Sequence, residues 1–293
     1  MTGQPQAEIT SPPSARTAGR SRSIRLPGPA RCIMIVIGLI ALTATVYPRA
    51  FTSLNPNTID PKAILAGPSL KHLLGTDEAG GDIYTRIIYG TRLDVEISLF
   101  SVGIAYLIGV PLGLLAGRQR GAVNEVLTSL TGGILAFPIV LLALLIVGSF
   151  GASAGTLIAI FGLAFFPQVA LLARAQTQAV YGRGYILSAR ALGLRERRIV
   201  AVHVLHNITG PLLVLVPQLM ATAILAEAGL SYLGVGVQPP AITWGSLLLD
   251  STSYYHSDPL YAISAGLVIT VAAALLLIAG DLISESVDPL RRR

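Results

Sequence analysis

Charged side chains are scarce in this sequence, since Asp, Glu, Lys and Arg together make up 12% of its 293 residues. A soluble domain carries about 25%. The charges are also missing from long windows, where the hydrophobic residues, 53% of the chain, form continuous runs. This segregation excludes an ordinary soluble core and indicates membrane spans. The net charge is +6, but the arginines flank the apolar runs, which the positive-inside rule explains better than nucleic-acid binding does.

The sequence has a single cysteine, Cys32, and only two lysines, Lys62 and Lys71. One cysteine excludes an intrachain disulfide framework and a cysteine metal site. No G-x-x-x-x-G-K-[ST] sequence occurs, which excludes a phosphate loop for ATP, and without H-E-x-x-H zinc protease chemistry is unsupported. Gly229-Leu-Ser231 resembles part of a nucleophile elbow, but Leu233 replaces its second glycine. An intramembrane hydrolase is therefore a weak alternative.

Six apolar runs are long enough to cross a bilayer, which takes roughly 20 residues per helix. They predict transmembrane helices at about 32–48, 97–117, 126–148, 154–174, 208–229 and 259–280. The loop before 154 and the connection 230–257 contain no Lys or Arg, as expected outside the cytoplasm. The predicted fold is therefore an all-α membrane protein with six transmembrane helices and cytoplasmic N- and C-termini. A cleaved signal peptide at 32–48 is the alternative to the first helix.

Composition divides the chain into three parts. Residues 1–30 are rich in Ser, Pro, Gly and Arg and predict a disordered cytoplasmic tail. Residues 31–92 hold the first span and an extracytoplasmic segment, whose end, 83–92, is predicted to form a helix lying on the surface. Residues 93–293 form the transmembrane core, with a cytoplasmic loop at 177–207.

Small residues recur within the second predicted span. Gly109, Gly113 and Gly117 form two overlapping G-x-x-x-G repeats, with Pro111 between them. Such spacing lets a neighbouring helix approach closely, and the proline predicts a kink. Ordinary helix packing and a helix that lines a transport path are both consistent with this pattern.

The middles of the six apolar runs contain no acidic residue. Asp94 and Glu96 precede the second run, Glu227 ends the fifth and Asp281 ends the sixth. An ion-coupled transporter would be expected to carry carboxylates at mid-membrane. These positions favour roles in interface solvation or helix packing. A secondary transporter or channel that works alone, and a membrane scaffold, remain as alternative functions.

An arginine-dense island, Gly184–Arg198, separates the fourth and fifth spans. Tyr185, Ser188/Ala189 and Leu192 recur at helical spacing and predict a small apolar face. Gly193 is placed to end that helix, because glycine adopts the left-handed C′ conformation without a steric penalty. A second helical stretch follows at about 195–205. The unit has too little apolar surface to stand alone and is expected to dock into another protein.

The island also resembles a known motif. Tyr185-Ile-Leu-Ser188-Ala189-Arg190-Ala191-Leu192-Gly193 resembles the Y-V-E-A-A-R-A-L-G of the EAA coupling loop in bacterial ABC importer permeases. Further blocks resemble the dipeptide/oligopeptide/nickel branch, of the C-type second permease. The residues that match its motifs are Gly75, Thr76, Asp77 and Asp82, then Glu227, Leu230, Ser231, Gly234, Trp244 and Gly245, and finally Asp281, Asp288 and Pro289.

Four positions depart from the family pattern. Leu187 stands in place of the coupling-loop glutamate and Ser188 in place of its first alanine. His206 replaces the proline of L-P-N, and Gly81 replaces the arginine of G-R-D. Because Leu187 is uncharged, it lacks the carboxylate that could form an ion pair or cap the docking helix. Arg190 or the charged run 195–198 could compensate for this difference.

The resemblance implies a type I ABC importer permease fold with a cytoplasmic coupling helix, in a bacterial cytoplasmic (inner) membrane. It further implies a non-catalytic subunit that translocates peptides or a similar small solute. The implied partners are a homologous second permease, two cytoplasmic ATP-binding subunits and an extracytoplasmic solute-binding protein. The ATP and Mg²⁺ would be bound by those partners, and no cofactor or nucleic acid is expected on this chain. Dipeptides, oligopeptides and nickel chelates all fit as solutes.

Overall fold

The computed structural model describes residues 45–118 and 121–287, together with the single positions 38 and 43. The predicted tail 1–30, most of the first predicted span and the pair Asp288–Pro289 lie outside these residues. Within them, the regular secondary structure is helical, apart from an isolated bridge between Thr76 and Asp82.

The helices of the described part are, in chain order, α1 (Ile83–Arg118), α2 (Ala122–Leu135), α3 (Ile139–Phe150), α4 (Ala154–Tyr181), α5 (Gly184–Ala191), α6 (Glu196–Tyr232), α7 (Trp244–Ser251) and α8 (Pro259–Val287). Helix α6 includes a π-helical stretch at Ile199–Val204, after which Leu205–Tyr232 is α-helical. Short 3₁₀ turns occur at Pro48–Ala50 and Thr252–Tyr254.

Four of these helices, α1, α4, α6 and α8, are each long and apolar enough to cross a membrane. Helices α2 and α3 pass the same test as a pair, bent by 82°, so the described residues hold up to five spans. The bend falls at Pro138, which the sequence placed inside one continuous span. Proline lacks the amide hydrogen and disfavours helical geometry in the residue before it, so the helix breaks there.

The prediction of a separate surface helix at 83–92 is wrong. These residues are the first turns of α1, and Ile83, Thr85 and Ile87 are buried. The second span therefore begins earlier than position 97, because backbone hydrogen bonds continue through the charged residues at its edge. The fourth, fifth and sixth spans are likewise parts of longer helices, and the predicted stretch 195–205 is the start of α6.

Glycines allow α1 to lie very close to α4, its most extensive partner. An added Cβ at Gly109, Gly113 or Gly117 would stand 2.8, 2.5 or 2.6 Å from an atom of α4. The nearest atom at Gly113 is the backbone oxygen of Ala170, which cannot rotate away as a side chain can. The predicted close approach of a neighbouring helix is thus present, and Pro111 lies within α1 without ending it.

Replacing Gly113 by alanine is expected to lower the free energy of unfolding by about 1–3 kcal/mol, because the two helices must separate to admit the methyl group. Gly103 on the same helix is the matched control, since its added Cβ would have no neighbour within 4 Å. Gly103→Ala should be neutral or slightly stabilising, by up to about 1 kcal/mol. Unfolding in mixed detergent micelles measures both, and equal stabilities for the two variants would contradict the packing argument.

Candidate functional site

The residues singled out from the sequence form two groups near opposite ends of α6. One group surrounds Glu196, beside Arg118 at the end of α1 and Tyr181 at the end of α4. The other surrounds the last turns of α6, next to α7 and the beginning of α1. At 1.5 Å per helical residue, the two groups are roughly 50 Å apart.

The first group contains residues 184–194, which we call the coupling element after the coupling-loop motif that they resemble. Its helix α5 buries Ile186 and Ala189, which are 0% and 8% exposed, in the main hydrophobic core. Of the predicted apolar face, Ala189 is buried within the chain, whereas Tyr185, Ser188 and Leu192 are exposed. The i, i+3 pair of Ile186 and Ala189 forms the buried stripe instead.

The turn after α5 is a Schellman motif centred on Gly193. The N–H of Gly193 donates to Arg190 O at 2.9 Å, and the N–H of Leu194 donates to Ala189 O at 3.1 Å. Gly193 has φ +77°, the left-handed conformation that glycine adopts most easily. The predicted helix end is therefore present, with its carbonyls satisfied by the turn.

Glu196 connects the coupling element to the ends of two spans. Its carboxylate accepts hydrogen bonds from Arg190 Nε at 2.7 Å and from Tyr181 Oη at 3.2 Å. Arg118 Nε lies 3.8 Å from the same carboxylate, and the Arg190 guanidinium lies 5.0 Å from the centre of the Tyr181 ring. Arg190 thus has a carboxylate partner within the chain, although Leu187 occupies the position of the family's glutamate.

A second contact fixes the other side of α5. Asn207 Nδ2 donates to Tyr185 Oη at 3.4 Å, and Arg183 donates to Asn207 Oδ1 at 3.3 Å. The Tyr185 ring also meets His203 edge to face at 5.9 Å. These contacts orient α5 on α6, so a force on the coupling element would be transmitted to α6.

The outer side of the coupling element carries unpartnered apolar residues. Leu187 and Leu192 are 62% and 80% exposed, and Ser188 and Ala191 lie exposed beside them. We call these four residues the docking face. Apolar side chains displayed on a short helix that is anchored from its opposite side are typical of a surface that another protein covers.

The second group is built around two buried carboxyl groups, Asp94 and Glu227, each 1% exposed. Ser231 Oγ donates to Glu227 Oε1 at 2.6 Å, and the backbone N–H of Trp244 donates to Asp94 Oδ2 at 2.9 Å. Asp94 and Glu227 are near neighbours. One oxygen of each, Asp94 Oδ1 and Glu227 Oε2, is buried without a hydrogen-bond partner among the described residues. Both residues therefore take part in helix packing and are not solvated at the membrane interface.

The remaining residues of this group pack where α1, α6 and α7 meet. Trp244 Nε1 donates to Ile87 O at 3.0 Å, and Leu230 is fully buried. An added Cβ at Gly245 would lie 2.7 Å from Ala228 Cα, so α7 contacts α6 through its backbone. Gly234 has φ +79° and ends α6.

The block Gly75–Asp82 folds the segment before α1 onto the start of that helix. Thr76 Oγ1 accepts the N–H of Ala66 at 2.8 Å, and Asp77 Oδ1 accepts the N–H of Gly81 at 2.8 Å. Asp82 Oδ2 accepts the N–H of Thr85 at 2.8 Å, which caps α1. At Gly81, where the family has arginine, an added Cβ would lie 2.7 Å from Asp77 Oδ2. The departure therefore leaves room for the Asp77 carboxylate.

Arg86, in the first turn of α1, pairs with Asp77. Burial raises the pKa of Glu78, and the nearby Asp77 adds to the effect. Burial likewise raises the pKa of Asp250 on α7, although Arg86 opposes it. Asp77, Arg86 and Asp250 line a cavity of about 500 Å³ formed by the segments around 56–59 and 234–250.

Sequence reasoning missed Asp94 as the partner of Glu227, and it also missed Glu196 as the partner of Arg190. The sequence signal for the Asp94–Glu227 pair was the presence of two acidic residues beside apolar runs. Nothing in the sequence indicated that two positions so far apart in the chain are neighbours. Asp281 lies exposed on α8, away from both groups.

Comparison with known proteins agrees with this architecture. The family described as "Binding-protein-dependent transport system inner membrane component" matches residues 109–293. The dipeptide transport system permease protein DppC of Alkalihalophilus pseudofirmus is 32% identical over 87% of this chain and 86% of its own length. A putative peptide transport system permease protein of Brucella suis is 32% identical over 94% and 90%. The glutathione transport system permease protein GsiD of Pectobacterium atrosepticum is 32% identical over 80% and 77%.

Among solved structures, the fold is similar to a chain of the MetNI methionine ABC transporter in inward-facing conformations. The TM-score is 0.55 at 17% identity, covering 70% of this chain and 98% of that one. The fold and its apolar helices define a multi-pass membrane permease subunit. This chain belongs to the family of binding-protein-dependent transport system inner membrane components.

Proposed function

We propose that this chain is the permease subunit of an ATP-driven importer that moves peptides across a bacterial cytoplasmic membrane. The names of the relatives, which assign them to dipeptide, peptide and glutathione transport, support the solute class. The observation that carries the proposal is the coupling element. It is anchored through Ile186 and Ala189 while it presents Leu187 and Leu192 to a partner.

The complete topology has six transmembrane helices, with the tail 1–30 and both termini in the cytoplasm. Residues 31–92 supply the first span and the extracytoplasmic segment, and residues 93–293 supply the core with its coupling loop at 177–207. Arg118 at the end of α1 and Arg190 on α5 meet at Glu196. They support this orientation, because basic residues concentrate on the cytoplasmic side.

The chain works without chemistry of its own, as one of two homologous permeases. Two cytoplasmic ATP-binding subunits hold the ATP and Mg²⁺, and the docking face lies in a groove of one of them. An extracytoplasmic solute-binding protein delivers the solute to the segments 49–92 and 230–257. Both segments contribute to the walls of the 500 Å³ cavity, which supports a shared surface.

ATP-driven closure of the two ATP-binding subunits pushes on the coupling element. Contacts from Glu196 and Asn207 pass the movement to α6 and to the ends of α1 and α4. The spans then alternate between inward-open and outward-open states. The element transmits only the difference between its contact free energies in the two states.

Purification of the tagged chain from its native membranes in mild detergent tests the proposal. A second permease and a P-loop ATPase should copurify, and the complex in proteoliposomes should take up a radiolabelled dipeptide only with ATP and the binding protein. Transport by the purified single chain without ATP would instead establish a transporter that works alone.

A further inference from the structure

Two glutamines stand at the middle of membrane-spanning helices. Gln168 is at the midpoint of α4 (Ala154–Tyr181), and Gln218 is at the midpoint of the α-helical part of α6 (Leu205–Tyr232). Both side chains are exposed in the single chain. An amide roughly 20 Å from either helix end would be unfavourable against lipid, so these side chains need polar surroundings.

Both glutamines line one open groove of about 1010 Å³, between α4, α6 and the end of α8. Gln168, Leu172 and Gln176 follow one another at i, i+4 and i+8, so they form a single stripe along α4. Gln218 and Asn207 lie on the facing wall, with apolar residues between them. The groove is therefore lined by alternating amide and apolar groups from mid-membrane to the cytoplasmic end.

The charges of the lining narrow the class of solute. Arg183 and His206 lie at the cytoplasmic end, and the lining residues from the described part of the chain include no Asp or Glu. A path for metal cations or cationic solutes would be expected to offer carboxylates. A glutamine amide has both donors and an acceptor, which match the C=O and N–H of a peptide bond whatever its side chains are.

We propose that Gln168 and Gln218 are the mid-membrane solute contacts of the transport path. The path takes amide-bearing solutes that are neutral, zwitterionic or anionic, such as short peptides, in preference to metal cations. This inference rests on the proposed function and adds to it the contacting residues and the charge class. The groove volume is at the upper end of small-ligand sites, which are about 300–1,000 Å³, and a wide site suits solutes of varied side chain.

The assembled importer in proteoliposomes provides the test, with Gln168→Leu, Gln218→Leu and the double variant. Gln178→Leu is the matched control, because Gln178 is exposed on α4 but does not line the groove. Uptake of radiolabelled dialanine should fall roughly threefold to tenfold in each single variant, the effect of one lost hydrogen bond. It should fall further in the double variant, while subunit copurification and ATPase stimulation by the loaded binding protein are retained.

Gln218→Glu supplies a readout that a purely structural role would not change. With the wild-type binding protein throughout, uptake of a lysine-containing dipeptide relative to an aspartate-containing one should rise about tenfold, because the path then carries a negative charge. An unchanged ratio, or wild-type uptake by the double leucine variant, would overturn the proposal. Loss of subunit copurification in the leucine variants would also overturn it, since the glutamines would then be contacts between permeases.

Failure of this inference is distinguishable from failure of the proposed function. If the wild-type complex takes up no dialanine with ATP, the proposed function is wrong. If the wild-type complex transports dialanine and the glutamine variants transport it equally well, the proposed function stands. The assignment of the two glutamines to the path is then wrong.

Discussion

Replacing Leu192 by aspartate is expected to abolish solute uptake by the assembled importer. Leu192 is 80% exposed at the tip of the coupling element, so the folding of the chain itself should not change. In the complex, the new carboxylate would be buried in the ATPase groove without a partner. Such burial costs several kcal/mol, and about 3 kcal/mol corresponds to roughly two orders of magnitude in docking affinity. Copurification of the ATPase and ATP-dependent uptake measure the effect.

Leu187→Glu is the matched control for this variant. It places an acidic side chain on the same docking face, at the position where the family motif has glutamate. We expect it to retain copurification and uptake, because the motif that this segment resembles has glutamate at this position. Normal uptake by Leu192→Asp would show that the docking face is not covered by a partner. The proposed coupling role would then be wrong.

Glu227→Leu is expected to lower the free energy of unfolding by about 2–4 kcal/mol, because it removes hydrogen bonds and leaves a buried polar group without its partner. Ser231 Oγ would lose its acceptor at 2.6 Å, and Asp94 would remain 1% exposed with only the N–H of Trp244 as a partner. Among the ion pairs of residues 45–118 and 121–287, none includes Asp94 or Glu227, so no cation compensates the loss.

Glu227→Gln separates hydrogen bonding from charge at the same position. Its amide oxygen still accepts from Ser231 and its NH₂ group donates to Asp94, so we expect a change of less than about 1 kcal/mol. Denaturation in mixed micelles compares the two variants. If the leucine variant is as stable as the glutamine variant, the carboxyl pair does not hold α1, α6 and α7 together.

Local features were predictable where one residue type decides the geometry. The G-x-x-x-G spacing predicted the close contact that Gly109, Gly113 and Gly117 make with α4, because only a missing Cβ permits that distance. Gly193 was identified as a helix end for the same kind of reason, and its φ of +77° agrees. The positions of the apolar runs followed directly from composition.

Features that depend on distant residues were not predictable. Asp94 and Glu227 each looked like the edge of a span, yet each is buried because the other chain segments cover it. The surface helix at 83–92 was wrong because a few charged residues suggested a boundary where the helix continues. The predicted face of α5 included Ser188 and Leu192 of the docking face, but it also included Ala189, since the sequence could not show that Ile186 and Ala189 pack against the core.

By itself, the sequence determined that this chain lies in a membrane, where its apolar runs are, and which short motifs it carries, because hydrophobicity and glycine conformation act locally. Only the tertiary structure decided which residues those motifs contact. It paired Asp94 with Glu227, joined Arg190 to Glu196, and placed Gln168 opposite Gln218 along one groove. The reason is physical: a side chain's partners are set by how whole helices pack, and packing brings together positions that no local pattern connects.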